Sequence, residues 1–414
     1  QRTMMTPPMA DDNPQHPPPW LFGITGIPYG IGGGFAAVTM PFLARKAGIS
    51  VGDTGWYGTA LLFPPVVQFL YAPIVDVGPK RQVWLVIVAL LGSICFGLSL
   101  TMPLPSRIGA FLTLAFIGQT ISGLTGSCNG GLLATTMPDN LRGAAGGWLN
   151  VGNLAGGALG AWLTLVMAKH FSPLAVGAAL VALMTLPACA ILFVHEAERA
   201  RRGIGEVFST LLHDVTHVAK SRNGWTGMLL FVSPVGTAAL LNYFAGIAKD
   251  YSASDGMVAF INGPVNGLVT AAGSLLGGYL CDRANRRAMY LLSGVLTAIC
   301  GLVMMLSPVS PMTYAVGVSV YLFITGFCYA AFSAAVLETI GKGGAAASTQ
   351  YALFVSCGNI AIAWVGFVDT RFHENHGPRG LLGVDASLNI IGVIALFFLF
   401  RAFGGFKKRE EAAA

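Results

Sequence analysis

Two stretches carry the chemistry that is easiest to see. In "YAPIVDVGPKRQVW" (71–84), Asp76 is followed four and five residues later by Lys80 and Arg81. In "GGYLCDRANRRAM" (277–289), Asp282 is followed at once by Arg283 and, at the same four- and five-residue spacing, by Arg286 and Arg287. The two acids stand 206 positions apart, almost half of the 414 residues. An acid at a helix end can pair with bases one turn further on, and it can approach the positive N-terminus of a neighbouring helix. One such loop reads as an ordinary basic anchor. Two copies half a chain apart read as a gate that holds two halves together in one state and releases them in another.

Other chemical signals are weaker. "HDVTH" (213–217) puts two histidines on one helical face, but the zinc-protease pattern needs Glu after the first His, not Asp. "HENH" (373–376) is no stronger, so no metal site is expected. "GKGGAAAS" lacks the hydroxyl residue after Lys342 that a phosphate-cradling loop requires, and "GSCNG" has no Ser at its centre. No enzyme constellation and no cofactor site are expected.

The elements that must position these residues are membrane helices. Charged residues make up 10% of the chain and apolar ones 54%, with a mean hydropathy of +0.67. A soluble domain carries about 25% charge. The 54 glycines and 22 prolines fall inside the apolar runs, where small residues let helix backbones approach. A hydrocarbon core of about 30 Å takes roughly 20 apolar residues as helix. That criterion predicts twelve spans, near 20–43, 54–76, 83–102, 108–134, 144–168, 172–194, 225–248, 256–281, 288–307, 311–336, 347–370 and 384–403. The seven cysteines lie in or at the end of these runs, which argues against a disulfide framework.

Lys/Arg bias sets the orientation. With both termini inside, 17 of the 24 bases fall on the cytoplasmic side, among them Arg142. The net charge of +6 resides in these loops, so membrane lipid and not nucleic acid is the expected surface partner. The chain then divides into a flexible tail (1–19), a six-helix bundle (20–194), a cytoplasmic linker (195–224), a second six-helix bundle (225–403) and a short tail (404–414). In the linker, Val207, Phe208, Leu211, Leu212, Val215 and Val218 share one helical face, as expected of an amphipathic helix lying on the membrane.

Six plus six spans with a repeated loop 2–3 motif resembles the major facilitator superfamily. The 277–289 stretch is similar to that family's loop signature, and the first copy departs from it with Val77 where an Arg would stand. "GIPYGIGGGFAAVTMPFLARKAGIS", "LYAPIVD", "MPDNLRGAAGGWLNVGN" (137–153) and "STQYALF" (348–354) look like the branch holding muropeptide permeases, acetyl-CoA transporters and inner-membrane siderophore permeases. The resemblance implies a permease of the bacterial inner membrane, an inward direction and a monomer. One departure matters: "GLTGSCNGGLLATTMP" (123–138) holds no acid where the muropeptide and acetyl-CoA members carry acids in span four.

Amides and tyrosines stand where a substrate would sit. The first half offers Tyr29, Gln68, Gln119, Asn129, Asn150 and Asn153. The second offers Asn242, Tyr243, Asn262, Asn266, Gln350, Tyr351 and Asn359. Each could equally be a helix–helix hydrogen bond, but together they predict a central cavity of neutral polar groups. Glu338 and Asp369 are the candidates for proton coupling, with gate pairs or solvated helix ends as the alternative. The expected function is a secondary transporter importing an amphiphilic organic solute by alternating access. Siderophore-like and muropeptide-like solutes rank level. Acetyl-CoA ranks behind because its phosphates would need a basic cluster, and a membrane sensor borrowing the fold is the remaining alternative.

Overall fold

The computed structural model describes residues 16–403, apart from 169, 195, 197–202, 204, 207–208, 210–214, 217, 219, 342–343 and 345. The two tails and most of the expected amphipathic linker helix therefore lie outside the described residues. Among the described residues there are helices and connections but no strand.

A helix appears at each expected span, the seventh in separate pieces. The first set is α1 (Leu21–Lys46), α2 (Asp53–Val66 then Gln68–Asp76), α3 (Arg81–Leu100), α4 (Ile108–Thr136), α5 (Arg142–Met167) and α6 (Pro173–Phe193). The second set is α7 (Arg222–Val232, resuming at 239–251), α8 (Asp255–Cys281), α9 (Arg286–Leu306) and α10 (Pro311–Ile340). It ends with α11 and α12, the two limbs of Ala347–Phe403 that meet at Gly377. Gly377 has φ 66° and ψ −160°, a conformation that breaks the helical path and that glycine adopts without strain.

Local chemistry fixes many of the helix starts. Ser50, Ser172, Ser221, Ser254, Asn285 and Ser310 each accept a hydrogen bond from a backbone N–H three residues on, opening α2, α6, α7, α8, α9 and α10. The α5 start has no such side chain of its own. Its cap comes from elsewhere, as shown below.

Within the first bundle, α1 and α5 meet along glycines. Gly26, Gly30 and Gly34 recur every fourth residue on α1 and face the backbone of 149–157 on α5. A Cβ on Gly30 would overlap the Asn153 carbonyl and lie 2.8 Å from the Gly157 nitrogen. Gly33, one register away, has open space around it. Gly30→Val is therefore expected to cost upward of about 3 kcal/mol, the high end for overpacking, because backbone cannot yield as a side chain can. Gly33→Ala should be neutral. Size-exclusion profiles after mild heating of the two variants in detergent check the contrast.

The seventh span corrects the expectation of an unbroken helix over 225–248. Its helix stops at Val232 and resumes only at Ala239. Pro234 lacks an N–H, Gly236 sits at φ 62° and Ala238 at φ 54°, so the hydrogen-bond ladder cannot continue. A Cβ on Gly236 would come within 2.8 Å of Ser293 Oγ and 2.9 Å of Cys328 Sγ, so only glycine fits the bend. The exposed backbone is satisfied by protein: the Gly236 N–H donates to Asn389 Oδ1 on α12 at 2.9 Å, and Cys328 Sγ donates to the Gly236 carbonyl. Span two also bends, by 53° after Pro64 and Pro65.

Candidate functional site

Two carboxylates close one end of the molecule, the end from which α3, α5, α9 and α11 start. Asp282 at the end of α8 accepts from the Gly143 N–H at 2.6 Å and the Ala144 N–H at 2.7 Å. These are the second and third residues of α5, the positions an N-cap normally serves. Asp76 at the end of α2 does the same to α11, accepting from the Thr349 N–H at 2.9 Å and its Oγ1 at 2.8 Å. Each acid thus caps a helix of the opposite bundle, where the helix dipole favours negative charge. Burial pushes the Asp282 carboxyl above the usual range, offset in part by the two N–H donors and by Arg286.

Arginines complete the seal. Arg81, 1% exposed, donates to Asp76 Oδ1 at 2.9 and 3.1 Å, to Ser348 Oγ at 2.8 Å and to the Gly344 carbonyl at 3.1 Å. It also lies 3.7 Å from the Glu196 carboxylate. Arg286 crosses to Asp139, reaching Oδ1 at 3.3 Å and the backbone carbonyl. Arg142 holds Asp139 at 3.2 Å and the Leu337 carbonyl of α10 at 3.4 Å. Of the eight expected gate residues, Asp76, Arg81, Arg142, Asp282 and Arg286 meet the opposite bundle in these bonds. Arg287 instead pairs within its own bundle with Glu338 at 3.7 Å and lies over the Phe400 ring. Arg283 is exposed and stacks on Tyr279, while Lys80 is half-exposed where α3 begins.

Above this seal lies a cavity of about 190 Å³ between the bundles. Six of the thirteen expected polar residues line it: Tyr29, Gln68, Asn150, Asn153, Tyr351 and Asn359. The first bundle contributes three amides beside Tyr29, Gly126 and Leu149. Asn150 donates across to the Tyr329 carbonyl and Ser333 Oγ of α10, both at 3.0 Å, and Gln68 donates to Ser127 Oγ at 2.8 Å. The Gln68 Oε1 is buried with no hydrogen-bond partner. Asn359 reaches the Pro65 carbonyl across the interface at 3.2 Å.

The second bundle contributes aromatic rings that the sequence reading did not single out. Phe231 packs edge-on against Phe332 at 4.9 Å and Tyr290 at 6.0 Å between ring centroids, with Tyr329 beside them. The α7 break supplies Gly236 and Thr237 to the same wall. The lining carries no charged side chain.

The remaining expected residues serve other contacts. Asn129 is fully buried and bonds α4 to α1, accepting from Thr25 Oγ1 at 2.7 Å and donating to its carbonyl at 2.8 Å. Asn262 donates to the Tyr314 hydroxyl at 2.9 Å, and Asn266 accepts from Thr270 at 2.8 Å. Gln119 is buried beside Gly32, Tyr243 packs on Gly366, Asn242 is exposed and Gln350 is half-buried. Asp369 is fully buried on α11, close to a second buried acid, Asp385 on α12. No group of three or more His, Cys, Asp or Glu that could hold a metal occurs among the described residues.

Two six-helix bundles enclosing a cavity between them define a secondary transporter. The model of the Major Facilitator Superfamily matches residues 22–366, and the chain belongs to that family, whose members are transporters and not enzymes. Solved structures share the fold at low identity. A human organic anion transporter superposes with a TM-score of 0.70 at 15% identity, covering 92% of this chain and 100% of that one. The transporter FucP in its outward conformation gives 0.67 at 14% identity, covering 92% and 98%. A proton:xylose symporter, XylE, gives 0.65 at 14% identity, covering 92% and 94%. No curated protein matches the sequence.

Proposed function

We propose that the chain imports an amphiphilic organic solute carrying aromatic rings, siderophore-like in chemistry, by alternating access. The observation that carries this is the cavity wall: amides, three of the four on the first bundle, face a herringbone of aromatic rings on the second, and the lining holds no charged side chain. Rings stack on such a wall for about 0.5–1.5 kcal/mol each beyond their buried area. The amides would fix the solute's hydrogen-bonding groups. A muropeptide, rich in sugar hydroxyls, fits the aromatic wall less well, and the phosphates of acetyl-CoA find no cation there.

On this reading the sealed end is cytoplasmic, where the bases cluster, both termini lie inside, and the conformation faces outward from an inner membrane. The Asp76 and Asp282 clusters are the cytoplasmic gate of a monomer. Bond geometry divides the lining residues into two roles. Asn150 ties α5 to α10 and its loss should lower thermal stability by about 1–3 kcal/mol. Asn153 lines the cavity and is half-exposed. Asn153→Ala should leave stability within about 0.5 kcal/mol and weaken solute binding about tenfold, the worth of one hydrogen bond plus lost contact. Thermal unfolding with and without ligand separates the two effects.

A thermal-shift screen of the detergent-purified protein against siderophores, muropeptides and CoA esters tests the substrate class. Stabilisation by aromatic siderophores is expected. Stabilisation by CoA esters alone would overturn it.

A further inference from the structure

Asp369 and Asp385 flank the Gly377 turn symmetrically, eight residues before it on α11 and eight after it on α12. At 1.5 Å per residue both lie about 12 Å below the turn, at one depth. Each is fully buried, and none of their four carboxylate oxygens has a hydrogen-bond partner. They are close enough for the charge of one to act on the other. The Tyr321 hydroxyl on α10, 1% exposed and likewise without a hydrogen-bond partner, is near enough to feel the charge of both.

The groups facing the pair are Tyr243 from α7, Cys300 from α9 and Tyr321 from α10. At the rim, Asp250 meets His373 at 2.7 Å, Arg371 meets Glu374 at 3.1 Å, and Arg379 on α12 lies near Tyr251. Burying an ion without a partner costs several kcal/mol, so this site does not hold two negative charges. Protonation of the carboxyls removes the penalty.

We infer that Asp369 and Asp385 form a proton-binding site that is loaded from the side opposite the gate and biases the cavity wall. In the loading step a hydronium ion from the solution on that side gives its proton to one carboxylate oxygen: the carboxyl O–H bond forms as a hydronium O–H bond breaks, leaving water. The site connects to the cavity by two short routes. Along α11, Asp369 is seven residues from Ile362, which lines the cavity. Along α12, Asn389 donates to the Asp385 carbonyl at 3.0 Å and holds the α7 break through the Gly236 N–H. Charging the pair would wet this region and shift α12, and with it the break that carries Gly236 and Thr237.

This inference deepens the transporter reading but is tested without a transported solute. Infrared difference spectra of the purified protein between acidic and alkaline buffer should show a protonated-carboxyl band that shifts in heavy water. The band should be lost in both Asp369→Asn and Asp385→Asn and kept in Glu338→Gln. Thermal stability of the wild type should fall as pH rises, because the folded pair must give up its proton. The two Asn variants, which keep the neutral shape, should flatten that dependence. A band that survives in both Asn variants, or disappears only in Glu338→Gln, would overturn the inference. So would stabilisation by sodium at fixed pH that depends on Asp369, which would make the site a metal-cation site.

Discussion

Asp282→Ala is expected to unseal the gate end and to raise the alkylation rate of Cys281 at least 100-fold. Cys281 is the residue before Asp282, 1% exposed, and so reports directly on the seal. The carboxylate makes two charge-assisted bonds to the α5 N-terminus, at 2.6 and 2.7 Å. Such bonds are worth about 1.5–3 kcal/mol each. They exist only while the bundles touch at this end, so their loss acts on one state of the equilibrium and not on both. Even 3 kcal/mol corresponds to a shift above 100-fold, at about 1.4 kcal/mol per factor of ten. Peptide mapping after treatment with a maleimide separates Cys281 from the other thiols. An unchanged Cys281 rate in a folded Asp282→Ala protein would mean that the cap does not hold the bundles together.

Arg81→Ala is expected to be the most destabilising single change at the gate. The guanidinium binds Asp76, Ser348 and the Gly344 carbonyl and faces Glu196, all at a site 1% exposed. Removing one partner of a buried ion pair costs about 3–5 kcal/mol, because the remaining charge loses its compensation. The cost should be partly recovered by adding Asp76→Asn, which removes one of the two carboxylates. A double-mutant cycle on thermal unfolding in detergent gives the coupling. Additive losses would show that Arg81 acts through packing and not through charge.

The charged contacts between the bundles were legible because their spacing repeats. An acid, then bases four and five residues on, recurs once per half, and helix-end electrostatics predicts both partners: the bases and a neighbouring N-terminus. The twelve spans were legible because length and hydropathy are set by the bilayer and not by tertiary packing. The α7 break was hidden in the apolar run "MLLFVSPVGTAALL" (228–241), although its Pro-x-Gly core carried the signal. In membranes Pro and Gly are common in unbroken helices too, so composition alone did not separate a bend from a gap.

Side-chain partners were less legible. Asn129 and Asn150 look alike in sequence, yet one bonds α4 to α1 while the other bridges the bundles at the cavity wall. Only the fold decides which face each amide presents. Asp385 was passed over because it stands at the margin of its apolar run, where a carboxylate reads as solvated. Its burial comes from neighbouring helices, a contribution no local pattern contains. The aromatic wall was missed for a related reason: Phe231, Tyr290 and Phe332 are far apart in the chain, and each alone reads as lipid-facing or core.

Spin-label distances at the two ends test the central claim that the bundles tilt against each other about the cavity. One pair, at Asn140 and Arg283, spans the gate; the other, at Lys46 and Lys249, spans the opposite end; all four residues are exposed. Measured in lipid, the wild type should show a short gate distance and a long opposite one. Asp282→Ala should lengthen the first and shorten the second in the same molecules. Lengthening at the gate with no change at the other end would mean local fraying, and the rocking mechanism would be wrong.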